Sequence, residues 1–302
     1  MNHFEHIHEH NRAFHIPLSK HPLISVFKYE DILPHFKKTV DAHTCGFYRI
    51  SLKWDGEGTI HYGRTDYDPA DGIWYFFSPN QIVAYSGTSD WKGYGILLHP
   101  SFLNDHHLAR RIRHYDFFDY AVHEALHLSE SEKQAMVDIF EKMHKEYQQT
   151  GIEFSPAILI SYIELVLNYA DRYYKRQFQT REKISHHTLE RFEQLVNDFF
   201  AKRRYQELGQ PRVEYFAQAL NLSPSYLSDL MKEFTGRPTL VHLHDRLVEE
   251  AKILLLQADC SVSQVAYDLG FEYPQYFSRF FKNKTNLSPS EYRQSGKSVQ
   301  AS

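Results

Sequence analysis

Up to about Phe102, apolar and aromatic positions come in short runs broken by turn residues. Gly46–Trp54 alternates loosely, and Asp55-Gly56-Glu57-Gly58 separates it from a run over Thr59–Tyr67. Asp68-Pro69-Ala70-Asp71-Gly72 precedes Ile73–Phe77, Ser78-Pro79-Asn80 precedes Gln81–Tyr85, and Tyr94–Leu98 ends at His99-Pro100. Short strands at roughly ten-residue spacing predict a sandwich or barrel. From Ser129 to Phe178 the period becomes helical. Met136, Ile139, Phe140 and Met143 share one face, and Ile158, Tyr162, Leu165, Val166 and Tyr169 share another, with Gly151 and Ser155-Pro156 between the two helices. The charged stretch after Arg172 reads as a helix end running into a linker. The expected architecture is α+β and multidomain: an all-β barrel with an N-terminal arm over 1–128, a helical pair over 129–178, a linker over 179–187, and an all-α region over 188–302.

The last region contains a repeat. Val213, Ala217, Leu220 and Asn221 recur 49 places later as Val262, Ala266, Leu269 and Gly270. Tyr226, Leu227, Ser228, Lys232 and Thr235 recur 50 places later as Tyr276, Phe277, Ser278, Lys282 and Thr285. The change of offset falls where a turn belongs, so each copy reads as a helix-turn-helix unit. Ser223-Pro224 supplies an N-cap and a proline at the first helical position, and Gly236 with Pro238 stops that helix. Pro274 opens the equivalent helix, Asn286 closes it, and Ser288-Pro289-Ser290-Glu291 is a capping box for a last one. Between Pro238 and Gln257 a helix of about twenty residues would span roughly 30 Å. That is close to the ~34 Å between successive major grooves on one face of DNA.

Composition refines this picture. A chain of 302 residues suits two domains. No apolar run approaches the ~20 residues of a membrane span, and Met1–His6 lacks the basic-then-apolar start of a secretion signal, so a soluble cytoplasmic protein is expected. Cys45 and Cys260 stand alone, which argues against a disulfide framework or a cysteine-ligated zinc site. The net charge is −4; 14 of the 34 Lys/Arg and 14 of the 38 Asp/Glu lie from Ser185 onward, leaving that stretch neutral. A neutral segment binds DNA only if its cations share a face.

Leu269-Gly270-Phe271, Tyr276–Lys282 and Ser288–Arg293 resemble the signature of AraC/XylS-type transcription regulators. Ala217–Leu222, Ser223–Leu227 and Phe234-Thr235-Gly236 resemble that family's first unit. Gly95–Leu103 is similar to the end of its cupin-like sensor barrel, and Asn168–Tyr174 with Arg176-Gln177-Phe178 to a linker of one branch. The resemblance implies a dimer held by the helical pair, a small-molecule effector in the barrel, double-stranded DNA as partner and, for an activator, contact with RNA polymerase. In such units the early exposed face of the second helix enters the major groove. That face carries Ser225, Ser228 and Asp229 in the first copy and Pro274, Gln275, Ser278 and Arg279 in the second. Arg279 suits guanine and Gln275 adenine. Asp229 stands where the family often has a basic residue. Lys232, Arg237, Lys282 and Lys284 are candidate phosphate contacts.

Tyr48, Trp54, Tyr62, Trp74 and Tyr85 are candidate rings for an effector pocket, with core packing as the competing account. His3, His6, His8, His10 and His15 crowd an N-terminal arm expected to be loose, with transition-metal binding by the alternating His-x-His-x-His as the competing account. The strand region lacks the His-x-His and Glu of metal cupins, and no nucleophile–base pair is legible; no enzyme activity, metal or cofactor is expected. A ligand-responsive regulator is the favoured reading. A regulator whose barrel only dimerises or binds a protein is the alternative, and a metal cupin fused to a DNA reader is the third.

Overall fold

The computed structural model describes residues 2–32, 39–54, 60–62, 65–67, 72–86, 92–121, 124–149, 155–180, 182–257 and 260–300. The chain forms two units, Met1–Thr180 and Arg181–Ser302.

Among the described residues the first unit holds two five-stranded sheets. One contains β1 (Asn2–Phe4), β3 (Thr39–Cys45), β5 (Ile60–Tyr62), β6 (Thr65–Tyr67) and β8 (Val83–Ser86), in the order β1-β3-β8-β5-β6. The other contains β2 (Ile24–Lys28), β4 (Tyr48–Trp54), β7 (Ile73–Phe77), β9 (Lys92–Leu98) and β10 (Leu126–His127), in the order β10-β7-β4-β9-β2. Pairing is antiparallel except between β1 and β3. Helices α1 (Ile7–Ala13), α2 (Tyr29–Ile32) and α3 (Leu108–Arg111) are short; α4 (Glu130–Gln148) and α5 (Pro156–Thr180) form the helical layer. Ser129 and Glu132 build a capping box that starts α4. Gln177 of α5, fully buried, accepts a hydrogen bond from the His127 amide at 2.8 Å and donates to the Ala125 carbonyl at 3.2 Å. It thereby satisfies the edge strand β10 from the side.

Strand register decides which side chains face where, because successive residues alternate between faces. Leu52 lies opposite both Trp74 and Tyr94, so Tyr48, Ile50, Leu52, Trp54 and Trp74 share one face of the sheet. That face meets the helices. Trp74 is fully buried, and its ring meets Phe140 of α4 edge-on at 6.1 Å. Tyr94 stacks on Phe140 at 5.5 Å, Trp54 tilts against Tyr94 at 6.1 Å, and Tyr48 meets Phe118 at 4.9 Å. Tyr48 and Trp74 are thus buried in packing on this face, the competing account given above, and Trp54 is half-buried beside Tyr94. Tyr62 and Tyr85 lie on β5 and β8, but their side chains fall outside the described residues.

The opposite face of the same sheet carries Arg49, Ser51, Lys53, Tyr75 and Phe77. Tyr29 and Ser51 hydroxyls lie 2.7 Å apart, Lys53 Nζ sits 4.6 Å from the Tyr29 ring centre, and Arg49 covers Phe77 at 5.0 Å. Arg49 also donates to His43 Nε2 at 3.3 Å, which joins the two sheets. Burial holds the Lys53 ammonium well below its ordinary pKa.

Two further expectations change. The N-terminal arm is not loose: β1 pairs with β3, and α1 buries Ile7, His10 and Asn11. Burial pushes the His10 imidazole down to about 3 and keeps it neutral, with Arg49 and His43 adding to the effect. On α5 the buried residues include Leu159, Ile163, Val166, Leu167 and Ala170, whereas Ile158 and Leu165 are 45% and 41% exposed. Most of the apolar stripe noted in the sequence is thus the outer face, with only Val166 of its residues turned to the core.

In the second unit the charged linker expected over 179–187 is largely helical. Residue 180 still belongs to α5, and α6 (Glu182–Ala201) follows, with Ser185 buried. The remaining helices are α7 (Tyr205–Leu208), α8 (Val213–Leu220), α9 (Pro224–Thr235), α10 (Thr239–Leu256), α11 (Val262–Asp268), α12 (Pro274–Thr285) and α13 (Pro289–Gln300). One core joins them: Phe199, Phe216 and Leu227 on one side, Val265, Phe277 and Phe281 on the other, and Leu243, Leu247 and Ala251 of α10 between.

Candidate nucleic-acid interface

The repeat seen in the sequence is a repeat of hydrogen bonds. Leu222 N donates to Ala217 O at 2.9 Å, and Phe271 N to Ala266 O at 2.9 Å. Asn221 and Gly270, both left-handed with φ of +59° and +80°, make the turn after the first helix of each unit. Glu272 is the added residue that changes the offset. Both second helices begin with proline, and they end at left-handed Gly236 and Asn286. Ser223 caps α9 by accepting from the Tyr226 amide at 3.2 Å. Thr235 and Thr285 each donate back to the carbonyl four residues earlier, at 2.6 and 2.8 Å. The Ser288–Glu291 capping box begins α13. Each feature repeats because the same local chemistry is used twice.

Burial sets the phase of the reading helices. Leu227, Leu230 and Met231 turn inward on α9, and Phe277 and Phe281 on α12. The outward rows are Ser225, Asp229 and Lys232 on α9, and Gln275, Arg279 and Lys282 on α12, four and three residues apart. Lys232, Gln275, Arg279 and Lys282 are exposed; Ser225, Ser228 and Asp229 are half-buried. Ser278 donates its hydroxyl to Pro274 O at 3.0 Å, which leaves it an acceptor. Pro274 itself is the half-buried first residue of α12. The middle position of the row is Asp229 in one unit and Arg279 in the other, so the two readers differ in charge where they most resemble each other in place.

The candidate phosphate contacts divide. Lys232 and Lys282 are exposed at equivalent positions, whereas Arg237 and Lys284 both bind Asp245 of the connecting helix α10, Lys284 at 3.2 Å. Partial burial opposes ionisation of Asp245, but the bonds from Lys284 and Arg237 outweigh it and hold the carboxyl below its usual range. Asp245 therefore ties the ends of both reading helices to their connector. Asp245→Asn should free two cations, tighten binding to random DNA several-fold and steepen its salt dependence by ~0.9 in the logarithmic slope per phosphate gained. Fluorescence anisotropy across a salt series measures this, and an unchanged slope would show that these cations never reach DNA.

Two exposed rings were not among the candidate DNA contacts. Tyr273 and Tyr276 are 49% and 56% exposed and meet edge-to-face at 5.7 Å beside the outward row of α12. Their signal was available: both fall off the face marked by Phe277 and Phe281.

Two matched helix-turn-helix units packed on one connecting helix are the arrangement that DNA-binding domains of this kind use. Residues 216–295 match the model of a helix-turn-helix domain, and residues 34–166 that of the AraC-like ligand binding domain. The chain thus carries the two domains of AraC-type transcription regulators, a ligand binding domain and a helix-turn-helix domain. It is 37% identical over 98 residues to the HTH-type transcriptional regulator YijO of Escherichia coli K12, a match covering 32% of this chain and 34% of that protein. It is 40% identical over 77 residues to the arabinose operon regulatory protein of Escherichia coli K12, covering 26% of each. These matches thus span 34% and 26% of the relatives' own length. The C-terminal domain of the response regulator yesN from Fusobacterium nucleatum is 30% identical, with a TM-score of 0.30, and the match covers 33% of this chain and 96% of that one.

Proposed function

We propose that this protein is a dimeric, ligand-responsive regulator that reads two adjacent major grooves of one duplex, with Gln275 and Arg279 as its strongest base contacts. The carrying observation is the pair of matched reading helices on α10. At ~1.5 Å per residue its 18 residues span about 27 Å, of the order of the ~34 Å groove repeat. Selection of genomic fragments with purified protein at fixed salt tests this. Sites with two short motifs about one helical turn apart are expected; single-motif sites would sink the two-groove reading.

The dimer reading rests on the outer face of α5. Ile158, Tyr162, Leu165 and Tyr169 follow the spacing of one helical stripe, and two of these apolar side chains are exposed. Leu165→Glu should shift the protein from dimer to monomer in sedimentation, leaving its melting temperature within a few degrees of wild type. A wild-type protein that sediments as a monomer at micromolar concentration would remove the proposal.

Effector binding is supported by the ligand-binding domain match. Its site would lie on the sheet face of Arg49, Ser51, Lys53 and Tyr75, because the helices cover the other. Stabilisation by a metabolite that Ser51→Leu abolishes supports this. A library without any stabilising compound favours a first unit that only dimerises or binds a protein. Activation through RNA polymerase is part of the same proposal, and transcription in vitro from a selected site, with and without the protein, decides its sign.

A further inference from the structure

His10, His43 and Cys45 stand outside everything assigned above. His10 comes from α1, and His43 and Cys45 from one face of β3. All three are buried, and one donor atom from each lies within 4.8 Å of the other two. Phe4, Phe14 and Phe47 wall the cluster: His10 sits 5.9, 4.6 and 5.6 Å from their ring centres, and His43 lies 4.9 Å from Phe14. His10 Nδ1 lies 3.2 Å from Asn11 Oδ1, which can only accept, so Nδ1 carries the proton and Nε2 the lone pair.

We propose that His10, His43 and Cys45 form a binding site for a soft transition-metal ion, Cu(I), that joins the N-terminal arm to the sheet. Two imidazoles and one thiolate are the soft, trigonal donor set that copper takes, and among the described residues no carboxylate belongs to the cluster to favour a harder ion. Binding breaks the Cys45 S–H bond and forms a Cu–S bond, and the proton leaves to buffer. Thiolate and Cu(I) then cancel, so the cage gains no net charge. Zn(II) would leave an added positive charge close to the Arg49 guanidinium, which reaches His43 at 3.3 Å.

That contact makes the site a competition. A neutral imidazole has one lone pair, and at present His43 Nε2 accepts from Arg49. If His43 binds metal through either nitrogen, the other carries a proton and can no longer accept. Arg49 must then let go, on the sheet face assigned above to the effector. Metal uptake and the position of Arg49 are linked through His43.

The test is anaerobic competition for Cu(I) against its bicinchoninate complex, using the full chain. Wild type and Cys260→Ser should each withdraw one equivalent, and Arg49→Met should hold it more tightly than wild type. Cys45→Ser and His10→Gln should bind at least tenfold more weakly, and circular dichroism of the apo proteins checks that both still fold. If Cys45→Ser unfolds, His10→Gln on the arm carries the test. An ultraviolet thiolate-to-copper absorption band in wild type, absent in Cys45→Ser, is the accompanying signature. Failure of wild type to take up Cu(I) would overturn the proposal. So would uptake lost in His6→Gln/His8→Gln but retained in His10→Gln, since the exposed histidines would then be the ligands. Preference for Zn(II) over Cu(I) would overturn the choice of ion.

Discussion

Gly270→Ala should lower the melting temperature of the C-terminal unit by on the order of 10 °C and weaken all DNA binding with it. Gly270 occupies the turn of the second helix-turn-helix unit at φ +80°, a conformation that side chains rarely adopt. An added Cβ would also lie 2.6 Å from Gly209 Cα and 2.8 Å from Gln210 N, which are backbone atoms that cannot rotate aside. Left-handed strain contributes about 1–3 kcal/mol and overpacking a similar amount. For a unit of this size that corresponds to roughly ten degrees or more. The equivalent residue in the first unit is Asn221, also left-handed, and asparagine tolerates that region better than alanine. Asn221→Gly should therefore change stability little. Thermal melts of the full chain, followed by circular dichroism and by proteolysis within Arg181–Ser302, compare the pair. Equal melting of Gly270→Ala and wild type would mean that α7 and the turn separate easily, contrary to the packing described.

Arg279→Ala should cost specific binding about 1–3 kcal/mol, roughly 5- to 150-fold, with most of the loss at one base pair. Arg279 is exposed in the outward row of α12, between Gln275 and Lys282, and its guanidinium can bond guanine O6 and N7 together. A phosphate contact would instead weaken every sequence alike and reduce the salt slope by about one. Binding of wild type and variant to a panel with each base pair substituted separates these outcomes. Uniform loss across the panel would reassign Arg279 to the backbone. Lys282→Ala, one turn along the same row, is the control expected to give that uniform pattern.

The C-terminal half was legible because its information is local. Caps, the two left-handed stops and the 49- and 50-residue offsets lie within a few residues of the structures they specify. The first half was less so, since facing depends on partners far along the chain. Ile73-Trp74-Tyr75-Phe76-Phe77 is apolar on both faces, and only pairing with β4 shows that Trp74 meets α4 while Tyr75 turns away. The arm misled for a related reason. Its alternating histidines suggest an extended segment, whereas Ile7, His10 and Phe14 carry the three- and four-residue spacing of the helix face that is buried. Helix α5 is apolar on two sides, so periodicity located a stripe without saying which stripe met the sheet. Of the His10–His43–Cys45 cluster the sequence showed only His10, among the arm's histidines, because its partners lie on β3 more than thirty residues later.

Asp245 bears on how such a protein finds its target. Random DNA offers phosphates in every direction, and a reader with free cations lingers on each stretch it meets. Here Arg237 and Lys284 must first leave a carboxylate on their own connector. If these candidate phosphate contacts reach DNA, encounters with wrong sequence would be shortened, while a correct site that also engaged the outward rows of α9 and α12 would compensate for the broken ion pairs. The same carboxylate that ties the two helix ends to α10 would then act as a brake on unproductive residence, trading grip for speed of search.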